Sequence, residues 1–206
     1  MIDTKNIKNI ILDLGGVILE LDVEKTIRAF QKLGFPNLKD ADIILSKYPF
    51  FLDFETGKIS PEEFISKVVE MSGGQISEDR VLKAWNAMLL GFKPESISLL
   101  MNLRKKYRLF LLSNTNAIHE IHYNLQLKNE HGIENLNRIF EKVYYSHQLK
   151  MRKPNAEIFR HVLKDAHILA EECLYIDDTF EHIEVARSLG IQAYHLETPE
   201  RITNIL

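Results

Sequence analysis

The chain has 206 residues, is 45% hydrophobic and 27% charged, and carries a net charge of −3, which fits a soluble globular protein of one domain with an insertion, or one medium and one small domain. It has no long basic block, so nucleic acid is not an expected partner, and its single cysteine, Cys173, rules out an internal disulfide framework and a Cys-based zinc site. No apolar run reaches the ~20 residues of a membrane span, and the N-terminus is too polar for a signal peptide, so a cytoplasmic protein without a membrane partner is expected.

The first element is an apolar, β-branched run, about Ile7 to Leu12, the pattern of a strand buried on both faces. It ends in Asp13, followed by Leu14, Gly15 and Gly16. A lone charge is costly to bury, so Asp13 belongs where the strand ends, although Asp and Gly are also ordinary turn residues. From Val23 to Leu90 the pattern is helical, with no clear strand. Ile27, Phe30 and Leu33 share one helical face, and a second segment runs from about Asp40 to Phe54. Ser60-Pro61-Glu62-Glu63 has the form of a helix start with a capping box. Ser77-Glu78-Asp79-Arg80 opens a fourth helix. Trp85 and the pair Phe50-Phe51 are expected in the core of this helical segment.

After Phe92 helices and strands alternate, which argues for βαβ units and a parallel sheet. Pro94 to Tyr107 is predicted helical, and Arg108 to Leu112 is a buried strand that ends in Ser113-Asn114-Thr115-Asn116. A polar helix follows from Ala117 to about Glu130. Within it, His119-Glu120-Ile121-His122 resembles a zinc helix, but its histidines stand three apart rather than four, and a solvated face is predicted. A short strand at Val143–Ser146 precedes the basic loop Lys150-Met151-Arg152-Lys153-Pro154 and a helix from Ala156 to Leu163. Cys173 to Ile176 is a strand that ends in Asp177-Asp178, with Cys173 as a plain buried thiol. A helix over Glu181–Leu189, a last strand over Ile191–His195 and a terminal helix opened by Thr198-Pro199-Glu200 complete the chain.

Three buried strands thus end in polar groups: Asp13, Ser113-Asn114 and Asp177-Asp178. Ligands of open parallel sheets bind beyond the carboxyl ends of the strands. Gathered carboxylates repel unless a cation lies between them, and all-oxygen ligation suits Mg²⁺. Hydroxyl, amide and ammonium groups suit a phosphate, and a carboxylate can attack phosphorus.

On these residues the chain resembles the haloacid dehalogenase-like superfamily of aspartate-nucleophile phosphohydrolases. The four motifs correspond to Leu12-Asp13-Leu14-Gly15-Gly16-Val17, Leu112-Ser113-Asn114-Thr115, Lys153-Pro154 and Ile176-Asp177-Asp178, in that order. The resemblance implies an α/β, Rossmann-like parallel-sheet core over residues 1–22 and 91–206, with a small all-helical cap over 23–90 inserted after the first strand. It implies Asp13 as nucleophile, Ser113, Asn114 and Lys153 as phosphate contacts, and Asp13, the Gly15 carbonyl, Asp177 and Asp178 around Mg²⁺. Arg152 is expected to be a surface or cap-facing charge. The segments Leu112–Asn116, Met151–Pro154 and Glu55-x-Gly57-x-Ile59-Ser60 are most similar to bacterial phosphatases that act on alpha-D-glucose 1-phosphate. The expected partner is a small phosphorylated metabolite, and the expected state a monomer or homodimer.

One departure stands out. The family's phosphatases usually carry a second Asp two residues after the nucleophile, as general acid and base, and here that position is Gly15. Two rivals follow. A haloacid dehalogenase uses the same Asp without metal, which leaves Asp177-Asp178 unexplained. A non-catalytic binding module would have kept the fold and lost turnover.

Overall fold

The structure is a computed structural model that describes residues 4–35, 48–197 and 201–206. Among these residues, five strands form one sheet in the order β5-β4-β1-β6-β7. They are β1 (Asn9–Leu12), β4 (Arg108–Ser113), β5 (Lys142–Tyr145), β6 (Cys173–Asp177) and β7 (Gln192–His195), and all pairings are parallel. The order places β1 at the centre. The chain leaves β1 for β4 and β5 on one side, then returns to β6 and β7 on the other. The carboxyl ends of β1, β4 and β6 therefore flank the point where the strand order reverses, where open α/β sheets bind ligands.

Alternation along the strands builds a core on each face. Ile10, Leu12, Leu109, Leu111, Leu174 and Ile176 pack on one side with Leu100, Tyr123 and Leu127. Ile11, Phe110, Leu112 and Tyr175 pack on the other with Ile158, Phe159, Val162 and Ile183. These partners come from α5 (Pro94–Leu103) and α6 (Ala117–His131) on the first face, and α8 (Ala156–Asp165) and α9 (Phe180–Ser188) on the second. Cys173 is a free, buried thiol, as expected.

The segment between β1 and β4 is helical and has its own core. Its described helices are α1 (Val23–Lys32), α2 (Phe50–Glu55), α3 (Pro61–Met71) and α4 (Glu78–Trp85). Phe30, Phe51, Phe54, Phe64, Val68 and Val81 are buried together, with Trp85 against them. The Ser60 side chain accepts from Glu63 N–H at 3.2 Å, and Glu63 accepts in return from Ser60 N–H at 2.7 Å, which closes the predicted capping box. The start of the predicted Asp40–Phe54 helix lies largely outside the described residues; its end is α2. The predicted opening at Thr198–Glu200 also lies outside them, and the terminal helix α10 is described from Ile202 to Ile205. The short α7 (Ser146–Leu149) follows β5 directly.

The expectation of no strand over Val23–Leu90 is corrected at its last two residues, which open a short strand. Leu19–Leu21 (β2) and Leu89–Phe92 (β3) form an antiparallel ribbon with a register shift at Glu20/Leu21. Three or four residues show too little alternation to be read as a strand. The pairing exists because both ends of the helical segment meet there.

Candidate active site

Asp13 continues β1 by one residue: its N–H donates to the Ile176 carbonyl at 2.9 Å, which ties the end of β1 to β6. The residue is 8% exposed. Lys153, from the loop before α8, reaches the same point with 1% exposure. Its Nζ donates to Asp13 Oδ1 at 2.7 Å and to Asp177 Oδ2 at 2.6 Å. A buried ammonium between two carboxylates is tolerated only because all three are paired.

Lys153 is held from the end of β4. Asn114 accepts from Lys153 N–H through Oδ1 at 2.9 Å and donates to the Lys153 carbonyl through Nδ2 at 3.0 Å. The structure thus joins the second and third motifs through the Asn114 amide. Ser113 ends β4 and is buried; among the described residues its hydroxyl has only a long contact, 3.5 Å, to the Asn114 carbonyl.

Asp177 is fully buried and surrounded by donors. Besides Lys153 it accepts from the Tyr175 hydroxyl, from Thr179 N–H at 2.8 Å and from His182 Nδ1 at 3.0 Å. Nothing in the local sequence marks Tyr175 or His182 as part of the site. Strand alternation places Tyr175 on the Asp177 face, but only the tertiary packing shows the hydroxyl aimed at the carboxylate. Asp178 is exposed and lies against Gly16: a Cβ added to Gly16 would stand 2.0 Å from Asp178 Oδ2, and φ at Gly16 is +73°. Gly16 therefore lets the turn after β1 approach the end of β6.

The charges do not balance. Asp13, Asp177 and Asp178 offer oxygen atoms that all lie within 4.8 Å of one another, with one ammonium among them. Burial pushes the Asp13 carboxyl up to about 7, against the pull of Lys153 and with the repulsion of Asp177 and Asp178 added. Burial followed by Asp177 also raises Asp178. Burial works against ionised Asp177, but Lys153 and His182 hold its carboxyl low. Burial likewise opposes charge on Lys153, and Asp13 with Asp177 outweighs it, so the ammonium persists. A set of hard oxygen donors with excess negative charge fits Mg²⁺.

Two expectations about the neighbourhood change. His119 is not on a solvated face. It is buried, its ring stacks on Trp85 with centroids 5.0 Å apart, and burial lowers its pKa to about 4. Trp85 and Phe51 belong to the core of the helical segment, as expected, but they also line a cavity between that segment and the end of the sheet. Arg152 faces the helical segment, where its Nε donates to Glu55 Oε1 at 2.6 Å.

The family profile described as haloacid dehalogenase-like hydrolase matches residues 7–190. The chain belongs to the haloacid dehalogenase-like hydrolases. Among the curated relatives of this hydrolase is the D-ribitol-5-phosphate phosphatase of Bacteroides thetaiotaomicron, 34% identical over 93% of this chain and 92% of the relative. Among solved structures, the HAD family enzyme BT-2542 of the same organism, in complex with magnesium and inorganic phosphate, is 36% identical. It covers 97% of this chain and 99% of that one, with a TM-score of 0.85. A predicted HAD-like family hydrolase from Porphyromonas gingivalis is 34% identical over 94% of this chain and 93% of that one, with a TM-score of 0.84. In this hydrolase the four sequence motifs converge on the Asp13–Lys153–Asp177 cluster.

Proposed function

We propose that the site hydrolyses a phosphomonoester through an aspartyl phosphate on Asp13, with a sugar phosphate such as alpha-D-glucose 1-phosphate as substrate. The enzyme is a phosphatase of the haloacid dehalogenase-like family and its metal is Mg²⁺. The observation that carries the mechanism is the buried Asp13–Lys153–Asp177 bridge at the end of the central strand, beside Asp178.

In this reading Asp13 Oδ attacks phosphorus, the P–O bond to the leaving oxygen breaks and that oxygen takes its proton from water; a second water then cleaves the acyl phosphate. Lys153 positions Asp13 and opposes the charge of the phosphoryl oxygens, while Asp177, fixed by Tyr175, Thr179 and His182, holds Lys153 in place. The Ser113 hydroxyl and the loop that begins at Asn114 receive the phosphate. Asp13, Asp177, Asp178 and the Gly15 carbonyl would hold Mg²⁺, which supplies charge stabilisation at the phosphoryl oxygens and keeps the carboxylates ionised. Residues 23–90 act as a cap over the leaving group, which the separate aromatic core and the cavity beneath it support. The sugar-phosphate class draws support from the relative that acts on D-ribitol 5-phosphate. The choice of a 1-phosphate rests on Gly15: with no carboxyl there to protonate the leaving oxygen, a weakly basic anomeric oxygen is favoured.

Phosphate release from a panel of phosphomonoesters, with Mg²⁺ and with EDTA, tests this. Release is expected only with metal, and Asp13→Asn is expected to lower kcat by more than about 10³-fold while the fold is kept. Metal-independent halide release from 2-haloacids, or full activity in Asp13→Asn, would overturn it.

A further inference from the structure

The cavity beneath the helical segment has a volume of about 220 Å³ and opens beside Asn114, the residue that brackets Lys153. That volume suits a leaving group about the size of one six-membered ring. Its walls are largely apolar: Val23, Ile27, Phe51, Trp85 and Met88. The remaining lining side chains carry polar groups, and nearly all of these are already engaged.

The Thr26 hydroxyl donates to the Trp85 carbonyl at 3.1 Å and accepts from Met88 N–H at 3.0 Å. Asn114 is held by both ends of the Lys153 peptide. Asn116 Oδ1 accepts from Trp85 Nε1 at 3.3 Å and from His119 N–H at 3.0 Å, while its Nδ2 donates to His119 Nδ1 at 3.2 Å. His119 Nε2 then donates to the Trp85 carbonyl at 3.1 Å. These bonds make the indole a fixed wall and leave few partners for a hydroxylated guest.

Besides the Thr115 hydroxyl, Glu55 is the exception, and it alone among the lining side chains is a carboxylate. Arg152 engages Oε1, Oε2 has no side-chain partner among the described residues, and Glu55 lines the cavity, half-buried at the end of α2. A site lined this way rewards a guest with an apolar face and penalises each buried hydroxyl that finds no acceptor.

We propose that Glu55 is the specificity-determining residue of this enzyme. The substrate is a ring-sized phosphomonoester that lays an apolar face on Phe51, Trp85 and Met88 and donates one hydroxyl to Glu55 Oε2. An extended polyol phosphate carries as many hydroxyls but has no rigid apolar face to lay on these side chains and must give up more conformational freedom to bind, so it is a poorer substrate. This rests on the phosphatase reading above and narrows its substrate class.

The test is a substrate-by-variant cycle. kcat/KM is measured for alpha-D-glucose 1-phosphate, its mono-deoxy analogues, D-ribitol 5-phosphate and p-nitrophenyl phosphate, with wild type, Glu55→Ala and Arg152→Ala. In wild type one deoxy analogue is expected to lose about 10- to 100-fold, the worth of one hydrogen bond to a charged acceptor, while the others change little. Glu55→Ala should abolish that one difference, and Arg152→Ala should retain it, which separates contact with substrate from loss of the Glu55–Arg152 pair. Ring-closed substrates should exceed D-ribitol 5-phosphate. The inference is overturned by a deoxy series that Glu55→Ala leaves unaltered, by D-ribitol 5-phosphate as the better substrate, or by turnover of p-nitrophenyl phosphate alone. No turnover of any phosphomonoester would instead overturn the phosphatase reading.

Discussion

His119 makes the stability of this protein depend on pH in a way that can be isolated. His119 is 8% exposed and its pKa is lowered by burial from 6.5 to about 4. The Trp85 carbonyl can only accept, so Nε2 carries the hydrogen and Nδ1 accepts from Asn116. Protonation of Nδ1 would set two donors against each other inside the cavity wall. Between pH 6.5 and 4 the unfolded chain binds the proton and the folded one does not, so stability falls as pH falls through this window. The whole difference amounts to about 3 kcal/mol, and about 2 kcal/mol of it is lost between pH 7.5 and pH 5. Asp13 works in the opposite sense: its raised carboxyl pKa favours the folded state as pH falls from about 7. A wild-type curve alone would therefore mix the two.

The remedy is His119→Gln, whose amide keeps a donor towards the Trp85 carbonyl and does not titrate. Urea unfolding of both metal-free proteins is followed between pH 7.5 and 5 by fluorescence of Trp85, the single tryptophan of the chain and the ring on which His119 stacks. Wild type should lose about 2 kcal/mol more than the variant over this range. Parallel pH dependences would refute the assignment of a buried, neutral His119.

Three further outcomes are expected. Gly57→Ala places a methyl 1.9 Å from the His147 carbonyl oxygen at φ +63°; it should cost about 1–2 kcal/mol from the left-handed backbone alone and raise KM by displacing the end of α2 that carries Glu55, both readable by thermal melting and steady-state kinetics. Gly16→Ala drives a methyl into Asp178 and should weaken Mg²⁺ binding, measured by calorimetry, more than it lowers the melting temperature; unchanged affinity would count against Asp178 as a ligand. For aryl phosphates, with chemistry rate-limiting, kcat should fall steeply as the leaving phenol becomes more basic, because Gly15 offers no proton donor, and general acid catalysis is typically worth ~10²–10⁴-fold. An Asp introduced at position 15 would meet Leu21, whose Cδ1 lies 2.5 Å from the position of an added Cβ, so flattening that dependence should require Gly15→Asp together with Leu21→Ala.

The sequence alone was sufficient for the sheet strands, the alternation after Phe92, the capping box at Ser60–Glu63 and the polar strand ends, because each is written in residues adjacent along the chain. Period-2 and period-3.6 patterns, N-cap chemistry and motif order are local signals, and they place Asp13, Ser113, Lys153 and Asp177 at one sheet edge. The β2–β3 ribbon was not legible, since its strands of three and four residues pair across the whole helical segment. Nor were the donors that fix Asp177, or the use of the Asn114 amide to hold Lys153, because a hydrogen bond depends on a direction in space and the sequence gives only composition and spacing. His119 shows the limit most clearly. Its helix is polar, and in sequence it differs little from the half-buried His122. Whether that face meets water or Trp85 is decided by where the helical segment docks, a choice made by long-range packing and absent from any local pattern.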